Sequence, residues 1–420
     1  MKYFAFVLIL LLSAKFSNAQ KPFVNFFDTA ESIQKKHPEN YIIPIKAIIK
    51  LKPDSADQFF SFWCQSMMTY YSFFGDYRST LLYSDEWHNG NRGLIKEEAK
   101  CDTAFVKEHH LVNAEEYITS QASKHQVVMI NEAHYFPANR AFVLSMLRRF
   151  YDTGYRYMPI ETIGDSLINE KKYPDLNTGF YTKEPMYGEM IREAKRIGFK
   201  IIRYDYGLDK CDDKGKDGYY CDRFRDSLMA VHLNEIIKRD PQAKILVYAG
   251  HDHIHEGTTT SWKKMAQFFK EMTGINPYTV ETTVQLEHFY PQMDHKEFVA
   301  VNRLSKISKP VIALKGDEPW HGDFVDVTVI FPKYLNKGSR PSYLSLDGRR
   351  KFYNVGGRGI KPGELVQAFY ANEKPGQRIP ADQFIAGNQN EGLYLFKGKY
   401  ELEIKDDNGN LLRSTKIVVN

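Results

Sequence analysis

From about residue 116 to 337, short apolar runs alternate along the chain with longer amphipathic stretches. Each apolar run has the length of a strand, and the segments between the first four have the length of helices. This alternation predicts an α/β fold with a mostly parallel sheet flanked by helices. The predicted strands are 126–131, 157–161, 199–205, 244–250, 277–282, 309–314 and 325–331. The predicted helices begin at Pro137 and cover about 184–197, 219–239 and 261–273.

The pattern changes on both sides of this segment. Residues 20–115 hold short apolar clusters and many aromatic residues, which predict a mostly helical N-terminal preface. After residue 337, apolar and polar positions alternate with period two around an Asp-Asn-Gly-Asn turn at 407–410, which is typical of a hairpin. We therefore expect an α/β catalytic-type domain at 116–337 and a small all-β, sandwich-like domain at 338–420.

The N-terminus has the features of a secretory signal peptide. Lys2 is followed by the apolar run 4–12 and by Ser17-Asn18-Ala19, a small-x-small cleavage pattern. The alternative is a membrane anchor, but this run is much shorter than the roughly 20 residues that a spanning helix needs. We expect residues 1–19 to be removed, leaving a secreted or periplasmic protein without a transmembrane segment.

Composition narrows the class of protein. The 420 residues are 43% hydrophobic and 26% charged, which excludes a disordered chain. A net charge of +5 does not argue for a nucleic-acid partner. The four cysteines are too few for a disulfide-built scaffold. In an exported protein Cys211 could pair with Cys221 and Cys64 with Cys101, although three connectivities are possible and free thiols remain an alternative.

Polar residues with catalytic chemistry follow four consecutive predicted strands. The residues at these strand ends are Glu132 and His134, then Glu161, then Asp205, then His251, His253 and His255. Because the carboxyl ends of parallel strands meet at one edge of the sheet, we expect these side chains to form one site. Histidine and glutamate act as general acids and bases, and they also bind Zn or Mn. Water could therefore be activated by a metal or by an imidazole paired with a carboxylate.

Each residue of this site has an expected role. His134 is the predicted base, oriented by Glu132 or Glu161, and a metal, if required, would bind His134, Glu161 and His253. Arg140 lies about a turn into the following helix and could meet a carboxylate or an anionic intermediate; the alternative is a surface arginine. The predicted catalytic residues are Glu132, His134, Glu161, His253, Arg140 and His251.

The order of these motifs resembles the erythromycin esterase, ChaN and TIKI superfamily over roughly residues 120–285. The motifs are Asn131-Glu132-Ala133-His134, a helix opened by Pro137, a strand ending in Glu161, Arg225-Asp226-x-x-Met229-Ala230, and Gly250-x-x-His253. The resemblance implies Glu132, His134, Glu161 and His253 as the site. It also implies one of three chemistries: metal-independent ester hydrolysis, metal-dependent peptide cleavage, or haem binding. Asn131 departs from the usual glycine, and the Glu-x-His spacing is one residue shorter than in the esterases, which argues against macrolide hydrolysis.

These observations lead to ranked hypotheses. The first is a secreted hydrolase of an ester or amide bond in a small-molecule or peptide substrate, with Zn or Mn as a possible aid. The second is a haem- or metal-binding protein of the ChaN type without turnover. The third is a degenerate scaffold in which the β domain mediates binding. A Gly164-Asp165-Ser166-Leu167 block with Asp252-x-x-His255 also matches GDSL esterases, but it follows the second strand of the domain rather than the first.

Overall fold

The computed structural model describes residues 24–89, 100–258, 262–387 and 391–420. The predicted signal peptide at 1–19 lies outside the described residues. Within those ranges, none of the helices combines the length and the apolar character that crossing a membrane requires.

The N-terminal part of the described chain is mainly helical. Its elements are α1 (Phe26–Lys36), α2 (Ile42–Lys50), α3 (Phe60–Phe73), α4 (Tyr77–Asn89), α5 (Thr103–Glu108), β1 (His110–Asn113) and α6 (Ala114–Ala122). Local sequence sets several of the helix starts. The side chain of Asn25 accepts hydrogen bonds from the first turn of α1, and Asp102 caps α5 in the same way.

A parallel sheet follows. Its region contains β2 (Val127–Glu132), α7 (Pro137–Asp152), β3 (Tyr155–Ile160), α8 (Pro185–Ile197), β4 (Lys200–Arg203), α9 (Tyr220–Arg239), β5 (Lys244–Gly250), α10 (Met265–Thr273), β6 (Tyr278–Glu281), α11 (Lys296–Ala300), β7 (Val311–Lys315), β8 (Glu318–Pro319) and β9 (Val327–Thr328). In the described chain, six strands pair in the order β4-β3-β5-β2-β6-β9, and each neighbouring pair is parallel. The predicted α/β fold is confirmed.

Both faces of this sheet are covered. All six residues of β2 are buried, as expected for a strand between two helical layers. Val128 and Ile130 pack in the core that includes α7 and α8, whereas Val127 and Met129 pack with residues of α9 and α10. Because successive side chains of a strand point to opposite faces of the sheet, this one apolar run contributes to two cores. The carboxyl ends of the strands remain free to carry polar residues.

One predicted strand pairs elsewhere. The run 309–314 forms β7, which lies in a separate antiparallel sheet between β1 and β8 rather than in the parallel sheet. Its apolar pattern identifies a strand, but pairing depends on β1, nearly 200 residues earlier in the chain. A local pattern contains no information about such a distant partner.

The C-terminal region is all-β, as predicted. Its strands are β10 (Asn336–Lys337), β11 (Arg340–Pro341), β12 (Lys351–Asn354), β13 (Leu365–Tyr370), β14 (Asp382–Ile385), β15 (Gly392–Leu395), β16 (Gly398–Lys405) and β17 (Leu411–Val419). An antiparallel sheet has the order β14-β13-β16-β17, and β12 pairs with β15. The predicted turn joins β16 to β17, with Gly409 at a φ of 78°, a conformation that favours glycine.

Of the two disulfides that the sequence allows, one forms. Cys211 and Cys221 are bridged across the polar loop before α9. Cys64 and Cys101 do not pair, and both thiols are free, as the alternative allowed. Cys64 is buried in the core of the N-terminal helices, where burial raises its pKa to about 12, whereas Cys101 lies just before α5.

The bridge should stabilise the segment that leads into α9. Replacing Cys211 and Cys221 together by serine removes a cross-link between residues 10 positions apart. We expect the free energy of unfolding to fall by about 2–3 kcal/mol, because the unfolded chain regains the entropy of the open loop. Urea denaturation measures this change, and Cys101→Ser is the matched control. Equal midpoints for all three proteins would contradict the prediction.

Candidate active site at the carboxyl ends of the parallel strands

A carboxylate–imidazole pair lies at the end of β2. His134 Nδ1 donates to Glu132 Oε1 at 2.8 Å. Arg140, in the first turns of α7, binds the same carboxylate: its Nε lies 2.8 Å from Oε2 and its Nη2 lies 3.3 Å from Oε1. Nη2 also donates to the His134 carbonyl at 2.5 Å. The arginine thus fixes both the carboxylate and the main chain that carries the imidazole.

This arginine is part of a buried network. Arg140 Nη1 donates to Glu184 Oε2 at 3.0 Å, and Glu184 caps α8 by accepting from the backbone N–H groups of Met186 and Tyr187. Burial raises the pKa of Glu184 despite these contacts. Tyr248, on β5, donates its hydroxyl to Glu132 Oε2 at 2.8 Å. Two adjacent strands and the ends of two helices therefore hold one carboxylate in position.

Glu132 is ionised in this environment. Burial acts to raise its pKa, but Arg140 and His134 outweigh burial and lower the pKa to about 2. The side chain of Glu132 is 1% exposed, and that of Arg140 is fully buried. A buried carboxylate is stable only with such partners. Because Glu132 stays negative, it accepts a hydrogen bond from the Nδ1–H of His134, which leaves Nε2 directed toward the site.

The free side of His134 faces the other strand ends. The ring stacks on Tyr181, with centroids 4.2 Å apart and planes 14° apart. Its Nε2 lies 3.7 Å from Glu161 Oε1, beyond hydrogen-bond length. Gly250 passes so close that a Cβ there would lie 2.5 Å from Nε2. A glycine at the end of β5 is therefore required for this approach. Within the described residues, Nε2 has no hydrogen-bond partner.

Arg225 joins the ends of β3 and β4. Its Nη2 donates to Glu161 Oε1 and to Asp205 Oδ2, each at 2.6 Å. Glu161 also accepts from the backbone N–H of Gly250. Burial acts to raise the pKa of Glu161, but His253, His134 and Arg225 together hold it well below its usual range. The side chain of Arg225 is 28% exposed, so part of it is accessible at the site.

His253 forms a second pair with a carboxylate. Its Nδ1 lies 2.6 Å from Asp226 Oδ1, and its Nε2 lies 3.2 Å from Arg225 Nη1. Burial acts to lower the pKa of His253, but Glu161 and Asp226 raise it above its usual value. Asp226 also accepts from the Trp262 indole and from the N–H of Met265. This imidazole is thus held as firmly as His134.

His251 and Asn131 complete the rim. His251 turns edge-on to His134, with centroids 5.4 Å apart, and burial and His134 lower its pKa to about 4. The amide of Asn131 donates to the His251 carbonyl at 2.7 Å and to Glu281 Oε2 at 2.8 Å. Its Oδ1 accepts from Thr282 N. Asn131 therefore ties the ends of β2, β5 and β6 together, a role that glycine could not fill.

The fold places the predicted strand-end residues close together. The contacts also show which of the predicted roles each carboxylate fills. Glu132, and not Glu161, makes the hydrogen bond that orients His134. Arg140 meets a carboxylate but is buried, so the alternative of a surface arginine is wrong. Sequence reasoning did not assign roles to several residues of the site: Tyr181, Glu184, Arg225, Asp226 and Tyr248. Of these, only Arg225 and Asp226 lay within a motif that the sequence singled out.

The predicted metal ligands lie where the structure places a positively charged side chain, that of Arg225. His134 Nε2 and His253 Nε2 lie 3.7 and 3.9 Å from Glu161 Oε1, so the three side chains do converge. However, the Arg225 guanidinium contacts both Glu161 and His253. Within the described ranges, no group of three histidine, cysteine or carboxylate side chains has the geometry to hold a metal ion. The residues as arranged do not fit Zn or Mn.

Haem fits this arrangement no better. Tyr181 covers one face of the His134 ring, and Gly250 and Glu161 lie against its Nε2. The haem-binding alternative, if it used His134, therefore conflicts with the packing around that ring.

The residues that match GDSL esterases have other partners. Asp165 pairs with Lys171 at 2.6 Å, and Asp252 pairs with Lys264 at 2.8 Å. His255 Nε2 faces Glu281 at 3.5 Å. An Asp/His pair acting on a serine needs the imidazole to be oriented by the aspartate, and these contacts do not provide it.

Comparison with known proteins adds little. No family model and no curated protein matches the chain. Among solved structures, the type III effector HopBA1 matches at 12% identity and a TM-score of 0.30, over 40% of this chain and 82% of that one. RRSP, a MARTX toxin effector domain from Vibrio vulnificus CMCP6, matches at 12% identity and a TM-score of 0.31. That match covers 59% of this chain and 53% of RRSP. Likenesses of this size assign neither family nor activity.

The low pKa of Glu132 predicts a dependence of stability on pH. Because the pKa falls from 4.5 to about 2 on folding, the stabilisation is present above pH 4.5 and is lost as the pH falls toward 2. The shift corresponds to about 3 kcal/mol. We expect the free energy of unfolding to fall more steeply over this range in the wild type than in Glu132→Gln. Denaturation at a series of pH values tests this, and parallel curves would count against it.

Proposed function

We propose that the chain is a hydrolase of ester or amide bonds in which His134 is the general base. The observation that carries this proposal is the His134–Glu132 hydrogen bond of 2.8 Å, which leaves Nε2 facing Glu161 at 3.7 Å. A carboxylate-oriented imidazole at the strand ends of an α/β sheet is a common arrangement for removing a proton from water. The motif order that resembles the erythromycin esterase, ChaN and TIKI superfamily supports the same reaction class.

The reaction follows from these positions. His134 Nε2 takes a proton from a water molecule as the water oxygen attacks the carbonyl carbon of the substrate. The negative charge that develops on the carbonyl oxygen is stabilised by the positive charge of the Arg225 guanidinium. When the bond to the leaving group breaks, His134 returns the proton to the departing oxygen or nitrogen. One water is consumed, and a carboxylic acid and an alcohol or amine are released.

We further propose that this hydrolysis needs no divalent metal. Arg225 supplies a positive charge between Glu161 and His253, where a metal would otherwise polarise the carbonyl. We also propose an exported enzyme acting on small-molecule or peptide substrates. The Cys211–Cys221 bridge is compatible with an oxidising compartment but does not decide this point.

Loss of the base should abolish most of the activity. We expect His134→Asn to lower kcat/KM between about a hundredfold and ten-thousandfold on the best substrate of an ester and peptide panel. Glu132→Gln should also lower it, because the amide holds the imidazole less firmly. His109→Asn is the control, since His109 lies at the end of α5, where it bonds the carbonyl of Phe105 and stacks on the Phe105 ring. Unchanged turnover in His134→Asn would refute the assignment.

Metal removal separates the proposal from its alternatives. We expect EDTA, Zn and Mn to leave kcat/KM unchanged, whereas Arg225→Gln lowers it about a hundredfold through loss of charge stabilisation. Arg223→Gln is the matched control, because Arg223 lies on the same helix but pairs with exposed Asp217. Activity that disappears with EDTA and returns with Zn would overturn metal independence. A Soret band lost in His134→Ala and His253→Ala would favour haem binding without turnover.

A further inference from the structure

Two adjoining cavities lie between α7, the segment around α11 and the chain that leads into β10. The larger has a volume of about 730 Å³, which is in the range of small-molecule pockets. The smaller has a volume of about 260 Å³. Three residues line both: Ser308, Leu335 and Ser342. We call the two cavities together the α11 groove, and none of the candidate active-site residues lines it.

The groove offers apolar surface along its whole length. In the larger cavity the apolar residues are Pro291, Val299, Ile307 and Leu335. In the smaller cavity they include Ala138, Ala141, Phe142, Tyr343 and Leu346. Leu335, which both cavities share, is 79% exposed. A leucine left in solvent beside other apolar side chains is typical of a surface that binds an apolar group.

The larger cavity carries two cations that have no acidic partner. Arg303 and Lys306 line it, and among the described residues neither makes an ion pair. Lys333 also lines it, but Lys333 pairs at 2.9 Å with Asp294, which is 1% exposed. Positive charge is therefore in excess at this end of the groove.

Acidic groups lie at the other end. Glu115 and Asp347 line the smaller cavity, where Asp347 pairs with Lys309 at 2.8 Å. Glu115 makes no ion pair within the part of the chain that the structure describes, so an anionic group would be repelled there. The charges along the groove thus favour one orientation of a ligand, with an anionic head in the larger cavity and an apolar tail in the smaller.

The wall that carries the two cations has an uncommon backbone. Val301–Ser305 forms a π-helical turn directly after α11, and Lys306 follows with a φ of 50°. Asn302 holds this turn, because its amide donates to the Phe331 carbonyl at 3.0 Å and its Oδ1 accepts from the N–H of Lys333 at 2.8 Å. Turns of this kind occur frequently at functional sites. This one brings Arg303 and Lys306 into the same wall.

We propose that the α11 groove binds a single-chain amphiphile with a carboxylate head, that is, a fatty carboxylate. The carboxylate contacts Arg303 and Lys306, and the alkyl chain runs past Leu335 toward Phe142. The groove is separate from the strand ends, so the proposal does not rest on hydrolysis at His134. Replacing His134 by asparagine should leave binding in the groove unchanged.

Displacement of a fluorescent fatty acid tests the class of ligand. Full-length protein is saturated with dansyl-labelled undecanoic acid, which is then displaced by decanoate, octanoate or decan-1-ol. We expect octanoate to bind about tenfold more weakly than decanoate, because two fewer methylene groups are buried. Decan-1-ol should also bind about tenfold more weakly, since it lacks the charge-assisted hydrogen bond. Equal affinities for decanoate and octanoate, or no displacement by decanoate, would overturn the proposal.

Two charge variants locate the head group. Arg303→Gln combined with Lys306→Gln should weaken decanoate binding at least about tenfold while leaving decan-1-ol unchanged. Arg148→Gln combined with Lys315→Gln is the matched control. It removes the same two charges from residues that lie outside the groove and pair with Asp152 and Glu108. The same loss of decanoate binding in both double variants would refute a specific contact.

A bulky substitution locates the chain. Ser308 is exposed and lies where the two cavities meet, so Ser308→Trp should abolish displacement by decanoate without unfolding the protein. Ser305→Trp is the control, because Ser305 is exposed in the same segment but lines neither cavity. Circular dichroism checks that both variants are folded. Normal decanoate binding in folded Ser308→Trp would place the chain elsewhere and overturn the proposal.

Vesicles distinguish a free amphiphile from a membrane surface. We expect phosphatidylglycerol vesicles to sediment no more protein than phosphatidylcholine vesicles do, because the groove takes one chain and one head group. Sedimentation with phosphatidylglycerol that is lost in the Arg303→Gln and Lys306→Gln double variant, without displacement of the probe by decanoate, would replace the proposed site with a membrane contact.

Discussion

The buried ion pair of Arg140 and Glu132 is the contact on which the candidate site depends. Transfer of a lone carboxylate into a protein interior costs several kcal/mol, and this one is 1% exposed. Arg140 offsets that cost with two N–H groups on the carboxylate and a third on the His134 carbonyl. The same guanidinium therefore keeps Glu132 ionised and fixes the peptide that presents His134. Lysine would supply the positive charge but not the planar fork that contacts the carboxylate and the carbonyl together.

That ion pair is itself supported by the fold around it. Glu184 accepts from Arg140 and from the first N–H groups of α8, so the positive end of a helix and a guanidinium share one carboxylate. Tyr187 covers the guanidinium face at 4.4 Å, and Tyr248 reaches Glu132 from β5. The orientation of the His134 ring therefore depends on the packing of several helices and strands. A hydrogen bond built this way needs no rearrangement when a proton is transferred.

The residues at the strand ends could be predicted because each follows a local pattern. Strands as apolar as β2 and β5 are recognisable in the sequence, and parallel pairing brings whatever follows them to one edge. Arg225 and Asp226 could not be assigned in the same way, since they lie on α9 and reach the site only through its packing on the sheet. The choice between a Cys64–Cys101 bridge and free thiols was open for a similar reason: the sequence identifies the thiols, whereas burial of Cys64 in a helical core decides what it can reach.

The balance of charge explains why Arg225 stands where the sequence allows a metal. Glu161 and Asp205, at neighbouring strand ends, require a shared cation, and donor types alone do not say whether it is a metal or a guanidinium. Arg225 meets both carboxylates at 2.6 Å. Asp226, the next residue on α9, turns the other way and holds His253. Helix α9 thus supplies the Arg225 guanidinium to the Glu161 and Asp205 carboxylates, and the Asp226 carboxylate to the His253 imidazole. With each of these charges paired locally, His134 Nε2 is left without a hydrogen-bond partner among the described residues.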